Sequence, residues 1–246
     1  MWFLLFFILP LVGLAYVLWH VWCLLPLGTG GKSAVVAVCV LAFSTLFLNF
    51  SHAIDRFPMW LARMCYEVGN TSVFVLLYLV ILFLLMDLGR LLHIVPKTVL
   101  YANWYTVAAV TVLMVAVFAA GYANYMHKAR HSVALPTGKT AARGVKLVMM
   151  SDLHLGYHNN RKELARWVDK VNAERPDIVL LAGDVIDGSL RPLREEDMAA
   201  ELRRIDAPVY ACLGNHEYYA GIDGSLDFYR EAGITLLRDS AATVGG

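Results

Sequence analysis

Residues 145–156 read V-K-L-V-M-M-S-D-L-H-L-G, an apolar run that passes directly into residues able to bind metals. Two later stretches have the same design, with D-I-V-L-L-A-G-D-V-I-D at 177–187 and V-Y-A-C-L-G-N-H-E at 209–217. Short apolar runs bounded by Gly and Asp are typical of buried strands. The sequence therefore predicts three strands, each followed by a cluster of polar residues.

Helical patterns separate these apolar runs. Residues 161–174 repeat apolar side chains every three or four positions, and residues 195–205 form a second helical stretch. Strands that alternate with helices predict βαβ units and a parallel sheet. Open sheets of this type bind ligands beyond the carboxyl ends of their strands. The three polar clusters are therefore expected at one edge of one sheet.

Five residues in these clusters carry oxygen or imidazole groups that suit divalent metals. Asp152 and His154 lie two positions apart, so an extended chain would place both side chains on one face, where they can bind one ion. Asp184 follows the neighbouring strand, and its two oxygens can bridge a pair of ions about 3.5–4 Å apart. Asn215 offers an amide oxygen to the second ion, which leaves His216 free to act on the substrate.

In order and spacing, the blocks S-D-L-H-L-G, G-D-V-I-D and G-N-H-E resemble the first three signature motifs of the calcineurin-like metallophosphoesterases. The resemblance implies a partial α/β metallophosphoesterase domain over residues 145–246, which is a four-layer α/β/β/α sandwich when complete. It also implies two divalent metal ions, such as Mn, Fe or Zn. The implied metal ligands are Asp152, His154, the bridging Asp184, and Asn215. The implied catalytic residue is His216, which would stabilise or protonate the phosphoryl group.

Each block also has a simple structural explanation when it is taken alone. A D-x-H sequence often forms a turn, G-D-x-x-D is often a turn with a solvated Asp187, and N-H-E can cap a helix. The joint occurrence of the three blocks favours the metal site. Within that site, Asp187 could orient a metal ligand through a hydrogen bond.

The resemblance implies hydrolysis of a phosphate mono- or diester, in which a hydroxide between the two ions attacks phosphorus. Two further histidine motifs of the family are missing, because no histidine follows His216. We therefore expect a C-terminally truncated domain whose second sheet is incomplete. The missing histidines leave an alternative open, which is a catalytically inactive membrane scaffold or sensor with a remnant phosphoesterase domain.

Residues 1–126 have the composition of a multi-span helical membrane domain. Lys, Arg, Asp and Glu total 41 residues, of which eight lie in this half, and 59% of the whole chain is hydrophobic. Four stretches reach the roughly 20 apolar residues that cross a bilayer. These predicted spans are residues 2–27, 33–50, 72–92 and 104–122. In the third span, Asp87 and Arg90 lie three positions apart and are expected to pair.

The basic residues predict the orientation of these spans. Seven Lys or Arg flank the side that carries both termini, against three on the other side, and cytoplasmic loops carry such an excess. We therefore expect a multi-pass protein of the cell membrane, with residues 127–144 as a juxtamembrane linker and a cytoplasmic phosphoesterase domain. The expected partners are the lipid bilayer and a phosphoester substrate, either lipid-linked or a soluble nucleotide.

Composition argues against several other classes of function. A net charge of +1 lacks the basic excess of nucleic-acid binders, so no nucleic-acid partner is expected. The four cysteines form no C-x-x-C pair, which argues against a disulfide framework or a Cys-rich zinc site. His20, His52 and His93 lie near the ends of predicted spans, where lone histidines are typical interfacial groups rather than haem ligands.

Reporter fusions test the predicted orientation. A green fluorescent protein fused after Arg143 should fluoresce, and alkaline phosphatase at the same position should be inactive, because both would lie in the cytoplasm. Fusions after Lys32, in the loop between the first two predicted spans, serve as the control and should give the opposite pattern. Active alkaline phosphatase after Arg143 would place the domain outside the cytoplasm.

Overall fold

The computed structural model describes residues 2–134 and 144–243, with the backbone alone for residues 2–7. Contacts divide the chain into two compact units, one made of Met1–Ser51 and Cys65–Pro136, the other of His52–Met64 and Thr137–Gly246. Residues 52–64 are therefore part of the unit that holds the polar motifs. Half of the predicted linker at 127–144, namely residues 135–143, lies outside the described residues.

The apolar half of the chain folds into four long helices. They are α1 (Trp2–Leu24), α2 (Thr29–Phe50), α3 (Met59–Leu91) and α4 (Trp104–Met126). Helices α2, α3 and α4 are long and apolar enough to cross a membrane, so three of the four predicted spans fall on membrane-capable helices. In α1, the described side chains give a shorter apolar helix, Ile8–Leu24, so a first span remains a prediction.

Helix α3 begins at Met59, well before the predicted span at 72–92. Its 33 residues correspond to a length of about 50 Å, which exceeds the roughly 30 Å thickness of the hydrocarbon layer. Arg63 and Glu67 lie in the added turns. These charged residues lower the hydropathy of the segment, yet they are good helix formers, so the helix extends beyond the apolar stretch.

The predicted pair between Asp87 and Arg90 is not formed in the described part of the chain. Oδ2 of Asp87 instead accepts a 2.7 Å hydrogen bond from the Tyr16 hydroxyl and lies 3.0 Å from Nε2 of His20. Arg90 lies over the ring of Tyr101, 5.7 Å from its centroid. Since Tyr16 and His20 are one turn apart on α1, they reach the same carboxylate and reduce the cost of keeping it in apolar surroundings.

The second unit contains a parallel sheet of four strands. They are β1 (Leu147–Met150), β2 (Ile178–Ala182), β3 (Val209–Cys212) and β4 (Thr235–Leu236), in the order β1-β2-β3-β4. The register places Val148 beside Val179 and Leu181 beside Ala211. The three predicted strands are therefore confirmed, and the short β4 extends the edge of the sheet.

Helices connect these strands. They are α5 (Arg161–Ala173), α6 (Arg191–Glu195), α7 (Met198–Leu202), α8 (Asn215–Ala220) and α9 (Ile222–Glu231). A single helix over 195–205 is wrong, because Asp197 separates α6 from α7. Its φ of 50° is incompatible with a continuous right-handed helix. Short 3₁₀ turns lie at Ala53–Arg56 and Lys97–Val99.

The connecting helices cover one face of the sheet, because sequential parallel strands with right-handed crossovers place all connections on the same side. On that face Val179 and Leu181 are buried with Leu164 of α5. On the opposite face, Leu147 and Met149 are 49% and 64% exposed. The described residues contain one sheet, so the second sheet of the four-layer sandwich remains an implication of the resemblance.

Paired truncations test this one-sided packing. Leu181→Ala should lower the free energy that is needed to open the sheet by about 3 kcal/mol. Leu181 is 1% exposed, so its truncation leaves a cavity in the core. Met149→Ala, on the open face of the same sheet, should cost less than about 1 kcal/mol. Native-state hydrogen exchange of the β1 and β2 amides measures both losses. Equal losses would show that both faces are covered.

Candidate metal centre

Three loops that follow β1, β2 and β3 form the candidate site. Because these strands are neighbours in a parallel sheet, their carboxyl ends lie at one edge. Backbone hydrogen bonds continue beyond the strands, since the amide of Asp152 donates to the Gly183 carbonyl at 3.3 Å and that of His154 to the Asp184 carbonyl at 2.9 Å. The structure therefore confirms that the first two polar clusters lie next to each other at this edge of the sheet.

The backbone at three predicted ligands is left-handed. Asp152, His154 and Asp184 have φ angles of 55°, 42° and 50°. The prediction that Asp152 and His154 share one face of an extended segment is therefore wrong, although the two side chains still converge. Asp and His enter this conformation more readily than most residues, and such strain is found at functional sites at a cost of about 1–3 kcal/mol per residue.

The first group of candidate ligands is Asp152, His154 and Asp184. One ligand atom from each residue lies within 4.8 Å of the others. Oδ1 of Asp152 is 3.9 Å from Nε2 of His154, and 65% of the Asp152 side chain is exposed. These three residues were predicted as metal ligands, and the structure brings their ligand atoms close enough together that they could hold one ion.

A second group consists of His154, Asp187 and His216. Oδ1 of Asp187 lies 3.4 Å from Nδ1 of both histidines, and the two imidazole rings are 4.4 Å apart in an edge-to-face arrangement. His154 belongs to both groups and joins them into one cluster. The sequence pattern gave Asp187 only a supporting role, whereas its side chain lies among the candidate ligands.

The third predicted cluster starts helix α8. Asn215 is the first residue of α8 and is exposed, and its role as a metal ligand stays a prediction. The backbone amide of His216 donates a 2.9 Å hydrogen bond to Oδ1 of Asp184. Nδ1 of His216 lies 3.1 Å from the carbonyl oxygen of Asp187. The helix start is therefore attached directly to the loop that follows β2.

Glu217 holds these two loops together, a role that was not predicted. Its side chain is fully buried and accepts hydrogen bonds from four backbone amides. These donors are Asp184 at 3.3 Å, Val185 at 2.8 Å, Ile186 at 3.0 Å and Gly214 at 2.6 Å. The signal in the sequence was an acidic residue directly after G-N-H, which reads locally as an ordinary helix cap.

The Tyr229 hydroxyl completes the surroundings of Glu217 by donating a 3.1 Å hydrogen bond to Oε1. Burial, followed by the charge of Glu217, raises the pKa of the Tyr229 hydroxyl. Tyr229 therefore remains protonated at neutral pH and remains a donor. The carboxylate is thus surrounded by donors on both oxygens, as a buried charge requires.

The donors present fit divalent metals. Nδ1 of His154 is buried and makes no hydrogen bond within the described residues. Oδ1 of Asp187 lies 3.4 Å away without forming a hydrogen bond. A buried nitrogen without a hydrogen bond costs about 1–3 kcal/mol, which a coordinated ion would remove. Carboxylates and imidazoles without thiolates suit ions such as Mn, Fe and Zn. The residues at this edge of the sheet therefore have both the arrangement and the chemistry of a metal site.

Comparison with known proteins agrees with this chemistry. The family model described as "Calcineurin-like phosphoesterase" matches residues 145–241. Residues 145–241 belong to the calcineurin-like phosphoesterase family. The match begins just before β1 and extends beyond β4, so it contains all the residues of the cluster.

Several relatives share this phosphoesterase segment. A protein of Danio rerio named "Transmembrane protein with metallophosphoesterase domain" is 28% identical over 220 residues, which cover 84% of this chain and 50% of the relative. A protein of Aquifex aeolicus named "Uncharacterized metallophosphoesterase" is 38% identical over 104 residues, which cover 41% of this chain and 38% of the relative. The chain spans half or less of the length of these curated relatives.

The Danio rerio match extends beyond the phosphoesterase segment. Its 220 aligned residues exceed the residues available in 145–246, so the alignment includes part of the helical half. A Bos taurus protein with the same name is 35% identical over 75 residues, which cover 30% of this chain and 17% of the relative. Two relatives that are named as transmembrane proteins with a metallophosphoesterase domain therefore match this chain, and one of the alignments extends into its helical half.

Substitution of Glu217 tests its role in the candidate metal centre. Glu217→Gln should weaken Mn²⁺ binding by about tenfold or more, because an amide presents its NH₂ group to backbone donors and displaces Asp184. Calorimetry of the purified membrane protein measures this affinity.

Glu201→Gln is the matched control. Glu201 is also a buried carboxylate, but Arg161 and Arg204 bind it away from the cluster. Its loss should lower the melting temperature and leave Mn²⁺ affinity unchanged. Wild-type Mn²⁺ affinity in Glu217→Gln, or equal weakening in both variants, would contradict a positioning role for Glu217.

Proposed function

We propose that this protein is a membrane-bound, metal-dependent hydrolase of phosphate mono- or diesters. The observation that carries the proposal is the cluster in which His154 joins two groups of ligands at the carboxyl edge of a parallel sheet. Membership of residues 145–241 in the calcineurin-like phosphoesterase family supports the reaction class. The three membrane-capable helices support a location at a lipid bilayer.

The proposed metal ligands are Asp152, His154, Asp184 and Asn215, with Asp187 as an additional candidate. Divalent ions bound by these residues would supply positive charge to the phosphoryl oxygens and acidify a water molecule. Asp184 is the proposed bridge between two ions. Its Oδ1 atom accepts the amide hydrogen of His216, and this fixes the orientation of the carboxylate.

His216 is the proposed catalytic residue. Asp187 lies beside its Nδ1 atom, with the carbonyl oxygen at 3.1 Å and the carboxylate at 3.4 Å. Such a contact fixes the orientation of an imidazole and the nitrogen that carries the proton. When the imidazole carries a second proton, on Nε2, this nitrogen can donate a hydrogen bond or a proton to the phosphoryl group or the leaving oxygen. The side chain is 30% exposed, so a substrate can reach it.

The proposed location is the cell membrane, with several spans and a cytoplasmic phosphoesterase domain. The bias of Lys and Arg toward the side of both termini supports this orientation. The attachment of the domain to apolar helices makes a lipid-linked phosphoester our preferred substrate class, with soluble nucleotides as the comparison in any assay.

Substitutions of Asp184 and His216 test the division of roles. Asp184→Ala should lose bound metal and activity together, because a bridging carboxylate holds both ions. His216→Ala should retain metal while kcat falls by about 10² or more, since it removes a proton donor or charge stabiliser. Elemental analysis of the purified protein, together with phosphomonoester and phosphodiester assays, measures both quantities.

Two further variants separate these roles from folding defects. Asp184→Asn keeps a hydrogen-bond acceptor for the amide of His216, so it should remain folded while it binds metal weakly. Asp227→Asn alters an exposed carboxylate paired with Arg230 and should change neither quantity. Equal metal loss in His216→Ala would make His216 a ligand instead. A wild-type protein that binds metal but hydrolyses neither ester would favour the scaffold or sensor.

A further inference from the structure

A cavity of about 450 Å³ lies in the same unit as the metal cluster. Its polar lining comes from two parts of the chain, the segment between α2 and α3 and the segment that leads into α6. These residues are His52, Asp55, Ser189, Arg191, Arg194 and Glu195. Neither segment belongs to the motifs that carry the family resemblance.

Asp55 attaches the segment between α2 and α3 to the phosphoesterase domain. Its carboxylate accepts hydrogen bonds from the Tyr157 hydroxyl at 2.5 Å and from the Ser189 hydroxyl at 3.0 Å. Arg191 donates to the carbonyl oxygens of Asp55 and Phe57, each at 2.7 Å. Since three side chains of the domain bind this segment, it forms a fixed wall of the cavity.

The ionised side chains of the cavity, two arginines and two carboxylates, sum to no net charge, but one arginine has no ion pair within the described residues. Asp55 is occupied by hydroxyl donors, and Glu195 is paired with Nε of Arg191 at 2.6 Å. Arg194 is exposed, and its guanidinium has no hydrogen bond or ion pair within the described residues. His52 is also exposed, 3.9 Å from Asp55. Arg194 and His52 are therefore the groups available to an anion.

The cavity is close to the metal cluster along the chain. Ser189 lies two residues after Asp187, which spans at most about 7 Å. Helix α8 gives a second connection between the cavity and the cluster. Ala220, at the end of α8, lines the cavity, and His216 lies near the start of the same helix. The distance along α8 from His216 to Ala220 is about 6 Å. Two residues of the cavity lining, Ser189 and Ala220, are therefore each within about 7 Å along the chain of a residue of the metal cluster.

We propose that this cavity binds a second phosphate, located on the leaving group of the substrate, with Arg194 as its main charged contact. This assignment rests on the proposed phosphoesterase function and narrows its substrates to esters whose leaving group carries a phosphate. In such a substrate, water adds to the terminal phosphorus, the bond from phosphorus to the bridging oxygen breaks, and the leaving group departs with its own phosphate. Pyrophosphate monoesters, lipid-linked or soluble, have this structure.

The substitution Arg194→Gln tests the contact in the full chain. KM for adenosine diphosphate, and for diacylglycerol pyrophosphate in phosphatidylcholine vesicles, should rise about tenfold with kcat little changed, the effect of one lost charge-assisted hydrogen bond. KM for p-nitrophenyl phosphate should not change, because its leaving group carries no phosphate. Arg230→Gln, an exposed arginine outside the cavity, should leave all three KM values unchanged.

The two pyrophosphates distinguish the sources of the phosphate. A rise confined to diacylglycerol pyrophosphate supports a lipid headgroup as the ligand, and a rise for both supports a site for either source. Unchanged KM values for both would overturn the proposal.

Binding of inorganic pyrophosphate in the presence of EDTA, measured by calorimetry, separates this proposal from the proposed function. Arg194→Gln should weaken this binding about tenfold even if the protein hydrolyses no ester. Weakened binding together with no hydrolysis of any ester would reject the hydrolase and retain the anion site. Equal binding by wild type and Arg194→Gln would reject the anion site, whether or not the protein is a hydrolase.

Discussion

The candidate metal centre depends on the buried carboxylate of Glu217. Four backbone amides and one hydroxyl donate to it, and these donors come from the loop after β2, the start of α8 and helix α9. A buried charge is tolerated only when donors of this kind replace the water it has lost. Four of the donors are backbone groups, so these hydrogen bonds hold the loops and the Glu217 carboxylate in position relative to one another. The positions of Asp184 and His216 follow from this arrangement.

The cluster combines unfavourable features that a cation would relieve. Three candidate ligands have left-handed backbone conformations, and the carboxylates of Asp152, Asp184 and Asp187 gather around His154. Like charges at such distances repel, and strained residues persist only when their surroundings hold them. Metal binding would compensate both costs, so the stability of this edge of the sheet is expected to be coupled to metal occupancy.

Residues 52–64 give the phosphoesterase domain a component from the membrane half of the chain. Asp55 and Arg191 form its principal polar contacts with the domain, and Arg63 adds an ion pair with Glu196. A domain on a flexible linker would act independently of its anchor. Here a segment that joins two membrane-capable helices lines a cavity of the domain. If the proposed anion site is correct, residues of this segment would take part in substrate binding.

Local patterns in the sequence were sufficient for the strands, the three polar clusters and three of the membrane-capable helices. Apolar runs, hydrophobic periodicity and hydropathy are properties of residues that are near one another in the chain, so they can be recognised without the tertiary structure. The tertiary structure was needed for the partners of Asp87, the place of Asp187 among the candidate ligands and the role of Glu217. Each involves residues that are distant in the chain or a backbone angle set by such contacts. A carboxylate's partner is the donor that the fold brings to it, and spacing along one helix or loop does not specify that donor.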